Sequence, residues 1–406
     1  MGAGHSHGSH RAGGDAGLQV ARGPRLALLT SLAVALVAAV VGLVVLWPDG
    51  GEIDRIKEGA PFAVEGVTFP TATIDEVGRP CAADEVGTDS DCGTLRVTVD
   101  AGAGEGETVT VNVPPHVMDS GLAPGDRIKV QRTPGQDGGD AAYSYFGTER
   151  STPLMVLALA FVGLVLLVAR WRGFFALLGL VFSGLVIWKF VLPALLTGGS
   201  GVAVGLTGAT VILFVVLYST HGVSLRTSSA LAGTIVGVLV TAGIGVVATS
   251  AARLTGVADE QAGILQALAG GLDFQSLFAC AVLIAGLGVL NDVTITQSSA
   301  VWEIRAASPS MGRPELFASG MRIGRDHIAS TIYTIVFAYA GTALTVLLVL
   351  QIYGLPVGDL LTTEDITQEL VRTLASSIGL VLAVPLTTAI ATLVVAGAWI
   401  PVDLSE

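Results

Sequence analysis

Charge is what this chain has least of. Only 13% of its 406 residues are Asp, Glu, Lys or Arg, against about 25% in ordinary soluble domains, while 51% are hydrophobic. So few charged side chains cannot cover a water-facing surface, which excludes a fully soluble protein. Basic residues are also outnumbered, 21 against 33 acids for a formal charge of −12. That balance excludes a nucleic-acid partner. Only three cysteines occur, and the spacing of Cys81 and Cys92 excludes a CxxC-type metal site. No HExxH, GxSxG or Walker A run is present, nor a GxGD-like pair of membrane aspartates. We therefore expect no catalytic residue, no cofactor and no resident metal, and no enzyme activity.

What the chain does have is long apolar runs. They occupy 26–47, 153–169, 174–196, 202–219, 228–250, 274–290, 328–353 and 374–399. Each is long enough to cross a hydrocarbon core of about 30 Å, with some tilt. Eight crossings place both termini on one side. Arg170, Arg172, Arg226, Arg305, Arg313, Arg322 and Arg325 all fall in loops of that side, so it is read as cytoplasmic. The first run is too long for a signal-peptide core and no A-x-A site follows, so an uncleaved anchor is expected. The expected fold is an α-helical polytopic membrane protein with a small extracytoplasmic β-barrel-like domain. Its parts are a disordered cytoplasmic tail (1–21), an N-terminal anchor (22–48), the β-rich domain (49–150), a seven-helix bundle (151–400) and a second cytoplasmic tail (401–406).

The β-rich segment holds 19 acids and 8 Lys or Arg, which is nearly all of the net charge. Strand-like runs at 62–69, 71–77, 94–99, 108–113, 127–132 and 142–146 are separated by Gly and Pro clusters. They suggest an OB-like or SH3-like barrel. Cys81 and Cys92 flank a polar loop and would form a disulfide in an oxidising compartment, closing a loop for about 3 kcal/mol. Asp84, Glu85, Asp89 and Asp91 in that loop lack the EF-hand spacing and read as a solvated loop. His5, His7 and His10 lack a completing Cys or carboxylate and read as a solvated tail. Cys280 reads as a small packing residue.

The candidate chemistry lies after the sixth run. If the helix continues past 290, Asp292, Thr296, Ser299 and Glu303 fall at i, i+4, i+7 and i+11 on one face. Intramembrane ionisable residues are functional candidates by default, and a wet cytoplasmic helix end is the alternative. An ion or solute path is assigned to Asp292, Asn291, Thr294, Thr296, Gln297 and Glu303, with Asp292 binding a cation or proton. Arg322 and Arg325 would balance that charge. Asp326 can pair with Arg322 at i, i+4, and His327 follows it into the next helix. That helix carries Ser330, Thr331, Tyr333, Thr334, Tyr339 and Thr342, a hydroxyl content high for a lipid-facing surface. His221 could relay protons or simply precede the cap of the next helix. Lys189 reads as a snorkelling cation, and Pro193 and Pro385 as kinks. The stretch 263–273 is too short to span and reads as re-entrant or as an amphipathic surface helix.

Several long motifs occur together: Gly286-Leu-Gly-Val-Leu-Asn-Asp-Val-Thr-Ile-Thr-Gln297, Met321-Arg-Ile-Gly-Arg-Asp-His-Ile-Ala-Ser-Thr331 and Leu374-Ala-Ser-Ser-Ile-Gly-Leu-Val-Leu-Ala-Val-Pro-Leu-Thr-Thr388. With Tyr143–Pro153, Phe190–Leu196 and Tyr218–Arg226, they resemble the YibE/F-like family of bacterial membrane proteins over roughly 60–400. The resemblance implies a polytopic bundle with an extracytoplasmic β-domain in the bacterial plasma membrane. It carries over no substrate and no catalytic residue. The sequence therefore points to a permease-like protein for an ion or small solute, its direct partner being the lipid bilayer. The alternative is a non-transporting scaffold or sensor whose outer domain binds a protein or envelope ligand. Oligomeric state and envelope partner stay open.

Overall fold

Most of the long helices coincide with the expected apolar runs, but one continues well past its run and two begin ten or more residues before theirs. The computed structural model describes residues 22–58, 66–81, 92–135, 139–269, 271–354 and 356–395. The two tails, His5, His7, His10, the acidic cysteine loop and the first half of the strand expected over 62–69 lie outside the described residues. The chain divides into two compact units, Asp54–Val168 and the remainder.

The unit Asp54–Val168 centres on a five-stranded sheet. Its strands are β1 (Thr71–Val77), β2 (Thr94–Val99), β3 (Thr108–Asn112), β4 (Arg127–Thr133) and β5 (Ala142–Thr148). All pairings are antiparallel in the order β3-β2-β1-β4-β5. Alternation decides the inner face: Ala72 and Ile74, Leu95 and Val97, Val111, Ile128 and Val130 all point into one core. Bulges at Ile74/Glu76 and Lys129/Val130 raise the local twist. The sheet curls until β3 lies beside β5, so the barrel is nearly closed. Thr68 bridges to Arg132 beyond β1, all that the described residues retain of the first expected strand. Cys81 and Cys92 are joined by a disulfide, their Cα atoms 4.9 Å apart.

The other unit is helical. Over both units, the helices in chain order are α1 (Arg22–Val45), α2 (Gly50–Glu58), α3 (Pro115–Met118, between β3 and β4 in the sheet unit), α4 (Ser151–Val186), α5 (Leu192–Leu196), α6 (Gly201–His221) and α7 (Leu225–Ala251). They continue as α8 (Glu260–Leu268), α9 (Phe274–Ala307), α10 (Arg313–Thr342), α11 (Leu344–Tyr353), α12 (Val357–Leu360) and α13 (Glu364–Val395). Six stretches among the described residues are long and apolar enough to cross a membrane, or seven if the bent pair α10 and α11 is one crossing.

The structure sharpens three expectations and corrects one. The runs 153–169 and 174–196 are not separated by a loop. They join in one helical stretch, Ser151–Leu196, broken at Arg170, whose φ of 52° and ψ of −130° lie outside the helix. The run 328–353 is not one straight helix. It is bent by 63° around Ala343, and α10 starts fifteen residues earlier, after Gly312 and with Pro314 in its first turn. The condition set for the Asp292 stripe is met: nothing in 291–307 breaks a helix, and α9 continues past the apolar run 274–290 to Ala307. The two extensions form a helical hairpin about 25 Å long at 1.5 Å per residue. Finally, 263–273 is not one element. Asp259 caps α8, accepting from the Ala262 N–H at 2.7 Å, and Asp273 separately caps α9. No residue of α8 is buried, so it is a surface helix and not a plug.

Local chemistry explains two irregular points. A π-turn, Ile187–Val191, precedes Pro193, and its wider turn makes room for a ring that would otherwise meet the carbonyl of residue 189. At the end of α7, Arg253 takes a left-handed φ of 53°. The Leu254 N–H then reaches back to the Thr249 carbonyl at 3.1 Å, and the Leu254 side chain is buried. That is a Schellman-type stop built on a residue other than glycine.

Candidate functional site

Helices α7, α9 and α13 pack on one another along most of their length, and a line of polar residues runs through their apolar contact face. On α13, Glu369, Arg372, Ser376, Ala383 and Thr387 fall at i, i+3, i+7, i+14 and i+18, one face of the helix. Two close approaches hold α7 against it. A methyl group on Gly233 would overlap Thr387, and one on Gly379 would overlap Thr241. Only glycine permits backbones this near. Between them Gly237 meets Ala383 and Leu290, which brings α9 into the same junction.

Hydroxyls and amides line this junction. Thr234, Thr241, Thr249 and Thr388 each donate to the carbonyl four residues back, which leaves their oxygens free to accept. Thr234 and Thr294 share a hydrogen bond at 2.5 Å between α7 and α9. Gln297, 1% exposed, donates through Nε2 to the Gly320 carbonyl at 2.9 Å and to Thr388 Oγ1 at 2.7 Å, tying α9 to α10 and α13. Other polar atoms here have no partner among the described residues: Glu369 Oε2, Arg372 Nε, Ser377 Oγ, Thr387 Oγ1 and Thr392 Oγ1 on α13, and Asn291 Oδ1 and Gln297 Oε1 on α9. A buried polar atom without a partner costs about 1–3 kcal/mol, so a helix face that keeps several is unusual. From Glu369 to Thr387 the seam runs about 27 Å at 1.5 Å per residue.

The seam has an ion pair near each end. Arg372 donates to Glu369 at 2.6 Å, with both side chains about one-quarter exposed, and its guanidinium lies over the Phe278 ring at 5.5 Å. At the other end Arg226 faces Glu303 at 3.6 Å, and Ser298 donates to the Arg226 carbonyl at 2.8 Å. Among the described residues no carboxylate faces the seam between the two pairs. The lining is neutral oxygen, which suits a small cation, a hydrated species or an uncharged polar solute.

The residues assigned from sequence divide between two faces of α9. Thr294 and Gln297 are buried in the seam, and Asn291 reaches it with its side-chain oxygen. Asp292 and Glu303 are exposed, with Thr296 and Ser299 half-buried between them. The Asp292 stripe is thus the outward face, and the inward polar line is Thr294, Gln297, Ser298 and Arg305. Apolar neighbours decide this: Leu290, Val293 and Val301 flank Thr294 and Gln297, whereas no large apolar residue shares the Asp292 line. Thr296 Oγ1 turns back to the Asp292 carbonyl at 2.8 Å. Among the described residues no side chain pairs with Asp292. Arg322 donates to Ser319 at 2.7 Å and does not pair with Asp326. Arg325 and Asp326 are exposed, and His327 is half-buried. His221, exposed, ends α6, and Ser224 caps α7 by accepting from the Thr227 N–H at 3.1 Å. Lys189 is exposed and Cys280 is buried against Gly205.

Sequence reasoning missed the α13 face. Glu369 and Arg372 are not among the residues singled out from sequence, and Ser376, Thr387 and Thr388 enter there only as part of a family motif. The signal was present in Ser376, Gly379, Ala383, Thr387 and Ala391, a small or hydroxyl residue every three or four positions in an apolar helix.

The β-unit carries its own polar network. Tyr143 donates to Glu107 at 2.6 Å and accepts from Arg132 at 3.1 Å. Partial burial, and then the Glu107 carboxylate, push the phenol above its ordinary range. Thr73 donates to Asp100, which also holds Arg127.

Comparison with known proteins gives one family. The family described as YibE/F-like protein matches residues 157–397, more than half of the chain, and the chain belongs to it. That stretch contains α7, α9, α10 and α13. No curated protein and no solved structure matches.

Proposed function

We propose that this member of the YibE/F-like family is a multi-pass membrane permease that moves an ion or small polar solute along the α7–α9–α13 seam. One observation carries the reading: unpartnered polar atoms recur along α13 over a distance close to the about 30 Å thickness of a hydrocarbon core. Water or a passing solute would satisfy them. Counting the two arms of α4 on either side of Arg170 separately, and α10 with α11 as one, gives eight crossings. Both termini then share one side. The arginine-rich ends support a cytoplasmic reading of that side, with the β-unit outside, where its disulfide would persist. Thr294, Gln297 and Thr387 would line the path, and the Glu369–Arg372 pair would guard its outer mouth.

The test is a thermal-shift panel on the detergent-solubilised full chain against monovalent and divalent cations, anions and amino acids. A ligand at a hundred times its Kd stabilises by about 2.7 kcal/mol. The expected result is a ligand that stabilises the wild type and not Thr387→Val or Gln297→Leu, followed by flux of that compound in proteoliposomes. A ligand whose effect survives both substitutions, or silence across the panel with all three proteins folded, would overturn the assignment.

The β-unit supports a second reading, a scaffold or sensor whose outer domain binds an envelope ligand. It has a core of its own, and its strand order, with α3 between β3 and β4, is that of an OB-like barrel. Deleting residues 54–150 should abolish function in a scaffold and spare flux in a permease.

A further inference from the structure

A cleft of about 320 Å³ opens between α1, α7 and α13, away from the seam. Its α1 wall runs from Pro24 through Ala27 and Ser31 to Ala35, and Ile235 and Ile390 stand opposite. The lining is apolar except for Ser31. Leu28 and Leu32 dock α1 beside it and are themselves buried, so the cleft is a fixed feature of the packing. From Pro24 to Ala35 the wall rises about 16 Å at 1.5 Å per residue. That is about half of a hydrocarbon core of about 30 Å, the depth of one leaflet. The charge lies at one end only. Arg22 and Arg25, both exposed, leave α1 within a turn of Pro24, and neither has an ion-pair partner among the described residues.

We propose that this cleft is a binding site for one anionic phospholipid, with an acyl chain along the α1 wall and the phosphate held by Arg22 and Arg25. Depth, polarity and charge agree on that occupant. A chain of one leaflet's length fills the wall, and a basic pair stands where a headgroup would be. Nothing in this inference depends on transport through the seam.

The experiment is native mass spectrometry of the full chain, stripped of lipid in detergent and titrated with phosphatidylglycerol or phosphatidylcholine. Two arginines at about 1 kcal/mol each correspond to an about thirtyfold preference for the anionic lipid. Arg22→Gln with Arg25→Gln should reduce that preference to near unity while some lipid still binds. Arg22→Lys with Arg25→Lys should keep it, which separates charge from folding. Ala27→Phe with Ser31→Leu fills the cleft from exposed positions and should weaken retention of both lipids. Equal binding of the two lipids by the wild type would overturn the proposal. So would a preference that survives the Gln pair, or a lipid-free dimer that protects the cleft.

Discussion

Arg305 holds the turn of the α9–α10 hairpin, and its replacement tests whether that hairpin is built as described. The side chain is 5% exposed, and its Nη1 donates to the Pro309 and Met311 carbonyls, both at 2.8 Å. These bonds tie the last turn of α9 to the loop that reverses the chain. Arg305→Met keeps the length and bulk of the side chain and removes both donors. Hydrogen bonds from a charged group contribute about 1.5–3 kcal/mol each. Two effects reduce the sum. The guanidinium no longer has to be desolvated with Nε unpartnered, and the half-buried carbonyls regain some water. A net loss of about 2 kcal/mol follows, which opens the turn about thirtyfold more often. Native-state hydrogen exchange reads this directly. The Ser308 and Met311 amides, bonded to the Ile304 and Ser308 carbonyls, should exchange about thirtyfold faster, while amides in β1 and β2 keep their rates. Unchanged exchange at 308 and 311 would refute the assignment of Arg305 as the clamp.

Three other outcomes follow from the packing. Gly379→Val should destabilise the helical unit by about 3 kcal/mol, since the new side chain overlaps Thr241. Thr241→Ala should recover part of that loss in a double-mutant cycle followed by thermal melting. Reduction of Cys81–Cys92 should lower the stability of the β-unit by about 3 kcal/mol, seen as faster exchange in β1 and β2 with the helical unit unaffected. Asp292→Asn should shift the melting midpoint by no more than about 0.5 kcal/mol allows, as for other exposed sites without partners. A large loss there would mean that the outward face of α9 has a partner.

The fold was legible to different depths for physical reasons. Strands β1 to β5 lie close to the expected runs because alternation and Gly or Pro punctuation act within a few residues of each other. The apolar cores of the helices were equally plain. Their ends were not, because hydropathy marks where a helix leaves an apolar environment and not where hydrogen bonding stops. The run ends at Leu290, yet the first breaker in sequence is Pro309. The start signal of α10 was readable in Gly312, Pro314 and Glu315, but the polar character of 313–327 masked it. The bend at Ala343 has no proline, and its local signal is the lone Gly341 two residues before it, which by itself does not set a break.

The choice of face on α9 shows where a periodicity argument stops. Between Asn291 and Ser299 polar residues occur all round the helix, so a 3.6-residue period supports the Asp292 line and the Thr294–Gln297 line equally. The large apolar residues decide, since burying Leu290, Val293 and Val301 forces Thr294 and Gln297 inward with them. Burial of those two polar groups is tolerated because they find each other's kind across the junction, Thr234 for Thr294 and Thr388 for Gln297. Asp292 has no such complement on α7 or α13, and an unpaired carboxylate in that position would cost several kcal/mol. The same reasoning accounts for the neutral lining of the seam between its two ion pairs. Glycine contacts such as Gly233 with Thr387 leave no room for a long charged side chain, so the polarity of the junction has to come from hydroxyls, amides and backbone.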